Sequence, residues 1–335
     1  DRAVGMTVFK KAGIPIAPYR TFNDYDSAIA YVKRQGRAFA SKPSGHCDDK
    51  ALSYVARTPA DLIYMLERWK RNGKRTGLEF ILQEKISGVE FAVGAWFGPA
   101  GFVEEWEENF EHKKLMPGNL GPNTGEMGTV SRWVSRSKLA NLMLKPLEPY
   151  LHSVGFVGCV DVSVIVDEEG QAWPLEFTTR GGWPALNLEC SAFDCDFVEF
   201  LSGLAQGKPP RKVHRLDEVV CGVVIAIPDF PYSHATRKEV IGIPIYGLTD
   251  RIMADVHPAQ MMAGEAPDDQ GARHPSMVTA GDYVMICTGS GSTVRQARDA
   301  AYRTVEKIEI PSNAFYRNDI AQRLRRDLDS LQAHG

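Results

Sequence analysis

The run from Cys159 to Arg180, CVDVSVIVDEEGQAWPLEFTTR, constrains the fold more than any other stretch of the chain. Val160, Val162, Val164 and Val166 alternate with Asp161, Ser163 and Ile165, which is the two-residue period of a strand with unlike faces. Asp167-Glu168-Glu169-Gly170 supplies a turn, and a second strand follows from Gln171 to Phe177. An antiparallel hairpin closed at Glu169-Gly170 brings Asp161 near Glu176. Two carboxylates on one face repel unless a cation lies between them, and such an oxygen-rich pair suits Mg²⁺ carrying nucleotide phosphates. Arg180, just beyond, reaches toward a developing negative charge. The plainer alternative is a surface hairpin with two solvated acids.

The remaining sequence narrows the choice. A chain of 335 residues is long enough for two or three domains and a sizeable core. A formal charge of −3 gives no overall basic excess for nucleic-acid binding. The six cysteines are scattered with no CxxC pair, which favours reduced thiols in the cytoplasm over a disulfide framework or a zinc site. No apolar run approaches membrane-spanning length, and no signal peptide is visible.

Helices are expected over residues 1–12, 23–35, 58–70 (capped by Thr58 with Pro59 in the first turn), 137–154 and 195–207. Strands are expected at 38–43, 78–84 and 90–97. The polar, glycine-rich stretch 107–130 reads as a long loop, and such loops in compact domains are usually functional. Lys208-Pro209-Pro210 marks a boundary. Strands with Gly and Pro turns follow over 218–311, closed by a helix at 293–308. The tail, 312–335, reads as a basic amphipathic helix whose Arg317, Arg323, Arg325 and Arg326 line a solvated face.

Three further stretches bear on chemistry. Lys42 ends a strand before the small-residue loop Ser44-Gly45-His46-Cys47-Asp48-Asp49, where a lysine holds phosphates as a point charge. Gln83, Glu84, Lys85 and Ile86 join two strands, and free backbone groups in such a hinge read an adenine edge, with Glu90 placed for ribose hydroxyls. Gly121-Pro122-Asn123-Thr124-Gly125-Glu126-Met127-Gly128 packs glycines and small polar groups densely enough to favour ligand contact, with His112, Lys113 and Lys114 just upstream.

These segments together resemble phosphoribosylamine–glycine ligase, a family within the ATP-grasp superfamily. The resemblance runs in unbroken order through GIPIAPYRTF from Gly13, the lysine strand at Lys42, QEKISGVE from Gln83, EHKK from Glu111, GPNTGEMG from Gly121, the hairpin with EFTTR, and AFYRNDI from Ala314. It implies an α+β chain with an ATP-grasp fold, in which two α+β subdomains clamp ATP, and a C-terminal mostly β domain. The implied segments are a core at 1–35 and 99–210, a lid at 36–98 and a C-terminal domain at 211–335. By the resemblance the chain lacks the family's first domain before Asp1, and a partner or a missing N-terminal domain is expected in its place.

By the same resemblance, Asp161 and Glu176 are the magnesium ligands, and Lys42 and Arg2 contact the ATP phosphates. Gln83, Glu84, Lys85 and Ile86 form the adenine hinge, with Glu90 beside the ribose. Arg180 steadies the acyl phosphate and tetrahedral intermediate, with Lys42 as its catalytic companion. His112, Lys113, Asn123, Thr124, Gly125, Met127, Gly128, Arg180 and Trp183 face the substrates. The implied reaction joins a carboxylate, glycine or a similar small amino acid, to an amine through an acyl phosphate, with release of ADP. Three departures stand out. The loop after Lys42 reads GHCDDKA where the family is glycine-rich with a second lysine. Thr178 stands where the superfamily signature has Asn. Arg180-Gly181-Gly182-Trp183-Pro184-Ala185 replaces Arg-Phe-Gly-Asp-Pro-Glu, so both acids are lost and a tryptophan enters. The acceptor is therefore expected to differ from phosphoribosylamine, and nucleic acid enters only as a modified-base acceptor. The alternative is a degenerate ATP-grasp module that binds nucleotide or a partner without turnover.

Overall fold

The computed structural model describes residues 2–44, 53–73, 79–216, 218–232, 237–311 and 314–333, without the side chains of residues 2 and 3. The loop Gly45 to Lys50 and the side chain of Arg2 therefore lie outside the described residues. The helix Arg2–Lys11 opens the chain. β1 (Tyr19–Phe22), β2 (Phe39–Pro43), β3 (Tyr54–Val55) and β4 (Phe80–Glu84) form a four-stranded sheet in the order β1-β4-β2-β3. Helices Tyr25–Gln35 and Pro59–Arg71 pack with it around Ile29, Val32, Leu62, Leu66 and Trp69. Both helices begin as their sequences dictate. Asp24 accepts from the amide of Ser27 at 2.7 Å, and Thr58 from that of Asp61 at 3.1 Å.

The larger sheet begins with β5 (Val89–Gly98), β6 (Gly101–Phe102) and β7 (Trp106–Glu111). A small ribbon, β8 (Lys114–Met116) with β9 (Leu120–Asn123), interrupts it before β10 (Gly128–Val134), β11 (Gly158–Val166) and β12 (Ala172–Thr178). From the C-terminal half come β13 (Val219–Ala226), β14 (Val256–Pro258), the separate ribbon β15 (Met261–Pro267) with β16 (Arg273–Thr279), and β17 (Tyr283–Gly291). The long path runs β12-β11-β5-β7-β10-β13-β17-β14, so the C-terminal strands extend the same sheet as the metal-type hairpin. The four-stranded layer draws on residues 19–84. The strand at 89–98, grouped with the small module in the sequence reading, pairs with β11 in the large sheet.

Strand alternation gives this sheet two unlike faces. Phe91, Val93, Ala95, Phe97, Phe110, Val130, Val160, Val162, Val164, Cys221, Val223 and Ile225 point one way into the main core. Helices Lys138–Met143, Val294–Val305 and Arg2–Lys11 contribute to that core through Leu139, Met143, Ala297, Ala301 and Phe9. Phe9 stacks on Phe177 of β12 with ring centroids 4.0 Å apart, which ties the first helix to the hairpin.

The stretch 107–130 is not a loop. β7 and β10 are paired strands within it, and β8 and β9 form the ribbon between them. Its polarity misleads because Glu107, Asn109 and Glu111 belong to the non-core face. The expected 137–154 helix is broken into Lys138–Met143, a short turn at Lys145–Leu147, and Glu148–Ser153, with Pro146 and Pro149 at the interruptions. Among the described residues of the tail, the helix spans only Leu324–Gln332. Arg317 is 1% exposed rather than solvated. Its guanidinium holds Asp319 at 2.7 Å and bonds the carbonyl of Lys114 and the side chain of Asn119. Asp319 in turn accepts from the amide of Gly118 at 2.9 Å, and Arg323 donates to the carbonyl of Glu111 at 2.7 Å. The segment before the last helix is thus a clamp on the 111–119 region, built from charge-assisted bonds.

At the passage from β4 to β5, an added Cβ on Gly88 would meet the Val166 carbonyl oxygen at 2.1 Å. Only a glycine lets the connection pass so close to the end of β11. Gly88→Ala is expected to cost about 1–3 kcal/mol. A lowered thermal midpoint, with the far-ultraviolet spectrum retained at room temperature, is the check.

Candidate active site

The non-core face of the large sheet is a polar floor. β12 contributes Glu176 and Thr178, β11 contributes Asp161 and Ser163, and β5 contributes Glu90 and Gly94. Glu107, Asn109 and Glu111 follow from β7, then Thr129 and Ser131 from β10. Asp161 lies opposite Thr178 and Glu176 opposite Ser163, so the two hairpin acids sit one rung apart on one face. The turn between them is fixed by Asp167, whose carboxylate accepts from the amides of Glu169 and Gln171 at 3.1 and 2.8 Å.

The acids are crowded. An added Cβ on Gly94 would meet Asp161 Oδ2 at 3.3 Å and Glu107 Oε2 at 3.4 Å, so the glycine keeps the space between those carboxylates open. Asn109 Nδ2 donates to Asp161 at 3.2 Å, while the Asn109 Oδ1 is buried with no partner. Burial, then Glu111 and Glu176, pushes Asp161 up to about 7 despite the bond from Asn109. Burial, then Glu189 and Asp161, pushes Glu107 up to about 8 although Ser131 donates to it at 2.8 Å. Such a set, acidic and only partly offset by Asn109, Ser131 and Lys113, is arranged for positive charge. Among the described residues no group of three or more metal-ligating side chains is gathered for an ion.

Around this floor the other sequence-predicted residues fall as follows. Lys113 bonds Glu90 at 2.6 Å and Glu111 at 2.7 Å. Burial works against its charge, but Glu111 and Glu90 hold its pKa well above the usual lysine range. Lys42 Nζ donates to Gln83 Oε1 at 3.0 Å across the small sheet. Buried Gln83 also reaches the Ala17 carbonyl and the sulfur of Met6, linking the first helix to the hinge. Glu84 pairs with Arg37 at 2.5 Å, Lys85 is exposed, and Ile86 is half-buried in the connection to β5. His112 is buried. Its Nε2 accepts from the amide of Ala321 at 3.3 Å, and burial and nearby arginines lower its pKa to about 3, so it is neutral and tied to the tail.

Asn123 ends β9, exposed, and pairs with Lys114. Thr124 caps the Lys113 carbonyl through both amide and hydroxyl, at 2.7 and 2.9 Å. Gly125 is exposed at the tip, and Met127 is buried beneath it. At Gly128 an added Cβ would come within 2.6 Å of the Gly222 carbonyl oxygen. Arg180 is exposed and donates to its neighbour's carbonyl at 2.9 Å. Trp183 is 45% exposed beside Tyr283.

Glu107, Asn109 and Tyr283 were not singled out from the sequence, and Glu126 entered only as part of the GPNTGEMG run. The alternation of Trp106 and Phe110 with polar residues is the one sequence signal for two of them, and the loop reading of 107–130 passed over it.

A small α/β layer and a large sheet whose polar face carries two hairpin acids, with an arginine at the hairpin's exit and a small-residue loop before β10, define an ATP-grasp enzyme, a ligase that joins a carboxylate to an amine using ATP. Residues 2–185 match the family profile described as phosphoribosylglycinamide synthetase, ATP-grasp (A) domain, and residues 220–323 match the C domain of the same synthetase. The chain belongs to the phosphoribosylglycinamide synthetase family. The phosphoribosylamine–glycine ligase of Listeria innocua is 26% identical over 325 residues, covering 93% of this chain and 72% of the relative. That of Halalkalibacterium halodurans is 26% identical over 332 residues, 96% of this chain and 73% of the relative. Among solved structures, phosphoribosylamine–glycine ligase from Thermotoga maritima superposes with a TM-score of 0.73 at 22% identity, over 95% of this chain and 78% of that one. An L-amino acid ligase from Bacillus licheniformis gives a TM-score of 0.55 at 12% identity, over 93% of this chain and 72% of that one. These likenesses carry the fold. No described helix is long and apolar enough to cross a membrane.

Proposed function

We propose that the protein activates the carboxylate of glycine or a similarly small amino acid as an acyl phosphate and passes the acyl group to an amine other than phosphoribosylamine. The observation that carries this reading is the pairing of Asp161 with Glu176 on one polar face, with Arg180 just beyond on the same strand exit. Hydroxide is a poor leaving group, so the donor carboxylate attacks the γ-phosphorus and ADP departs. The amine then attacks the acyl carbon, phosphate leaves, and the nitrogen gives up a proton. Lys42, Arg2 and Arg180 supply positive charge where negative charge accumulates. Gln83, Glu84, Lys85 and Ile86 receive the adenine and Glu90 the ribose. His112 and Lys113 shape the wall through the Thr124 turn, and Asn123, Thr124, Gly125, Met127 and Gly128 form the donor side.

The donor set fits Mg²⁺. Asp161 and Glu176 offer hard carboxylate oxygens, Asn109 has a buried oxygen without a partner, and Mg²⁺ needs few protein ligands because it keeps waters and phosphates. Bound there, it would neutralise phosphate oxygens. The layer built on residues 19–84 serves as the lid that keeps water from the acyl phosphate. The described cysteines are free thiols, which supports action in a reducing cytoplasm.

Hydroxylamine trapping tests the first half-reaction without knowledge of the acceptor. Incubation with ATP, Mg²⁺ and glycine or other small amino acids is expected to yield a hydroxamate and stoichiometric ADP. Nucleotide binding with no hydroxamate from any carboxylate would instead establish a non-catalytic module.

A further inference from the structure

Beside Trp183 the structure gathers two more aromatic rings that the family resemblance does not explain. The Trp183 and Tyr283 ring centroids are 5.9 Å apart at 45°, and Phe230 meets Tyr283 at 5.3 Å and 66°. Tyr283 comes from β17 and Phe230 from the turn after β13, so three separate segments build the corner. The corner adjoins the GPNTGEMG loop, because the Tyr283 hydroxyl lies 3.5 Å from the Glu126 carbonyl oxygen. Glu126 itself is 2% exposed, and its Oε1 has no partner. Its surroundings are acidic. Burial and Glu111 raise its pKa well above the usual range, and Glu107 adds to the effect.

Lys113 is the cation that acts on Glu126, and Arg180 is given to the acyl phosphate in the ligase reading. Lys113 lies between Glu90 and Glu111, and Arg317 holds Asp319. A sugar phosphate brought here would meet the buried carboxyl groups of Glu107, Glu126 and Asp161, which are held above the usual carboxylate range and offer it no positive charge. A flat ring bearing an amine meets the opposite situation, since rings stack on exposed tryptophan and an amine N–H finds an acceptor in the buried, unpartnered Oε1 of Glu126.

Resting on the ligase reading above, we propose that the acceptor is a primary amine carried by a flat aromatic or heteroaromatic ring, the ring held against Trp183, Tyr283 and Phe230 and the amine drawn toward Glu126. Trp183 and Glu126 are then the residues that set acceptor specificity. Stacking of this kind changes affinity about fivefold to 150-fold per ring, roughly 1–3 kcal/mol.

The test compares 2-(aminomethyl)pyridine and tryptamine with ethanolamine and with ribosylamine 5-phosphate as acceptors. It measures kcat/KM for amide formation, and binding to the full chain by calorimetry without ATP. Ring-bearing amines are expected to exceed the ring-less ones at least tenfold. Trp183→Ala is expected to collapse that ratio and Trp183→Phe to restore most of it. Glu126→Gln should weaken all amines while leaving the ring preference. Preference for the sugar phosphate, or a ratio unmoved by Trp183→Ala, overturns the proposal. Hydroxamate formation by the unaltered protein separates the two failures. If hydroxamate forms and the ring preference is absent, only the acceptor assignment falls. If no carboxylate yields hydroxamate, the ligase reading falls too, and the acceptor assignment with it.

Discussion

Glu176→Gln is expected to lower ADP release coupled to amide formation about a thousandfold, roughly 4 kcal/mol of transition-state stabilisation, while leaving the fold intact or slightly firmer. The reasoning starts from the floor. Glu176 and Asp161 share a face one rung apart, and Glu176 is among the charges that push Asp161 up to about 7. Without a cation, an ionised Asp161 burdens the fold. Its folded pKa lies above the unfolded value of about 3.9. Its contribution to stability is therefore fully present below that value and is lost as pH rises through about 7. Removing the Glu176 charge lightens this burden near neutral pH, so the thermal midpoint at pH 8 should hold or rise. The same change halves the carboxylate pair that the proposed Mg²⁺ site needs. A steep loss of activity with an undiminished midpoint is the signature of a functional acid. Activity retained within tenfold would remove Glu176 from the metal site, and a collapsed midpoint would make it structural. Asp161→Asn is expected to behave alike, since the Asn109 amide that now donates to Asp161 keeps an oxygen acceptor there.

How much of this was legible in the chain depends on whether a residue's neighbours revealed its face. The hairpin was readable because four valines mark the core side of its first strand, and the acids then have to share the other. The cap at Thr58 was readable for a similar local reason, and the structure repeats the device at Thr293. Each accepts from an amide three residues on, at 3.1 and 3.2 Å. β7 was hidden because Trp106-Glu107-Glu108-Asn109-Phe110-Glu111 has acids on both faces: Glu108 bonds Arg132 and Ser137 on the core side. Local hydropathy carries no sign of those long-range partners, so a buried strand reads as a loop. Arg317 was read as a solvated basic residue for the same reason, since its partners near residue 114 lie some two hundred positions away in sequence. The aromatic corner needed three segments to meet, and only Trp183 announced itself, by replacing an expected acid. The continuity of one sheet from β12 to β14 was also invisible, because strand order across a boundary such as Lys208-Pro209-Pro210 is set by packing and not by composition.

Glu105→Ala is expected to be the most destabilising single change away from the floor, at about 3–5 kcal/mol. Glu105 is buried and accepts from the amides of Val213 and His214, at 3.1 and 2.7 Å, and from His214 Nδ1 at 2.9 Å. On its other side His214 meets Glu189 at 2.9 Å, and Glu189 accepts from Trp96 Nε1 at 2.6 Å. Trp133 and Phe193 stack on the imidazole with centroids 5.0 and 4.9 Å away. Burial alone would discharge His214, but the bonds to Glu105 and Glu189 outweigh it and raise its pKa. Burial likewise opposes the charge on Glu105, and the bonds from His214 and the two amides lower its pKa overall. The alanine variant leaves two amides and a buried imidazolium without their acceptor. The pH dependence follows from the two directions. The Glu105 contribution is present above about 4.3 and is lost as pH falls through its depressed folded value. The His214 contribution is present below about 6.5 and is lost as pH rises through its raised folded value. The gap in urea midpoint between the parent and Glu105→Ala should therefore be widest near pH 5–6 and narrow at both extremes. Glu105→Gln, which keeps an acceptor, should recover part of it. A flat gap across pH would mean that His214 is neutral in the fold. The consequence reaches the site, because Glu189 is one of the acids that hold Glu107 protonated near neutrality. If His214 loses its charge, Glu189 is left less compensated, Glu107 is pushed higher still, and the floor becomes a poorer partner for cations.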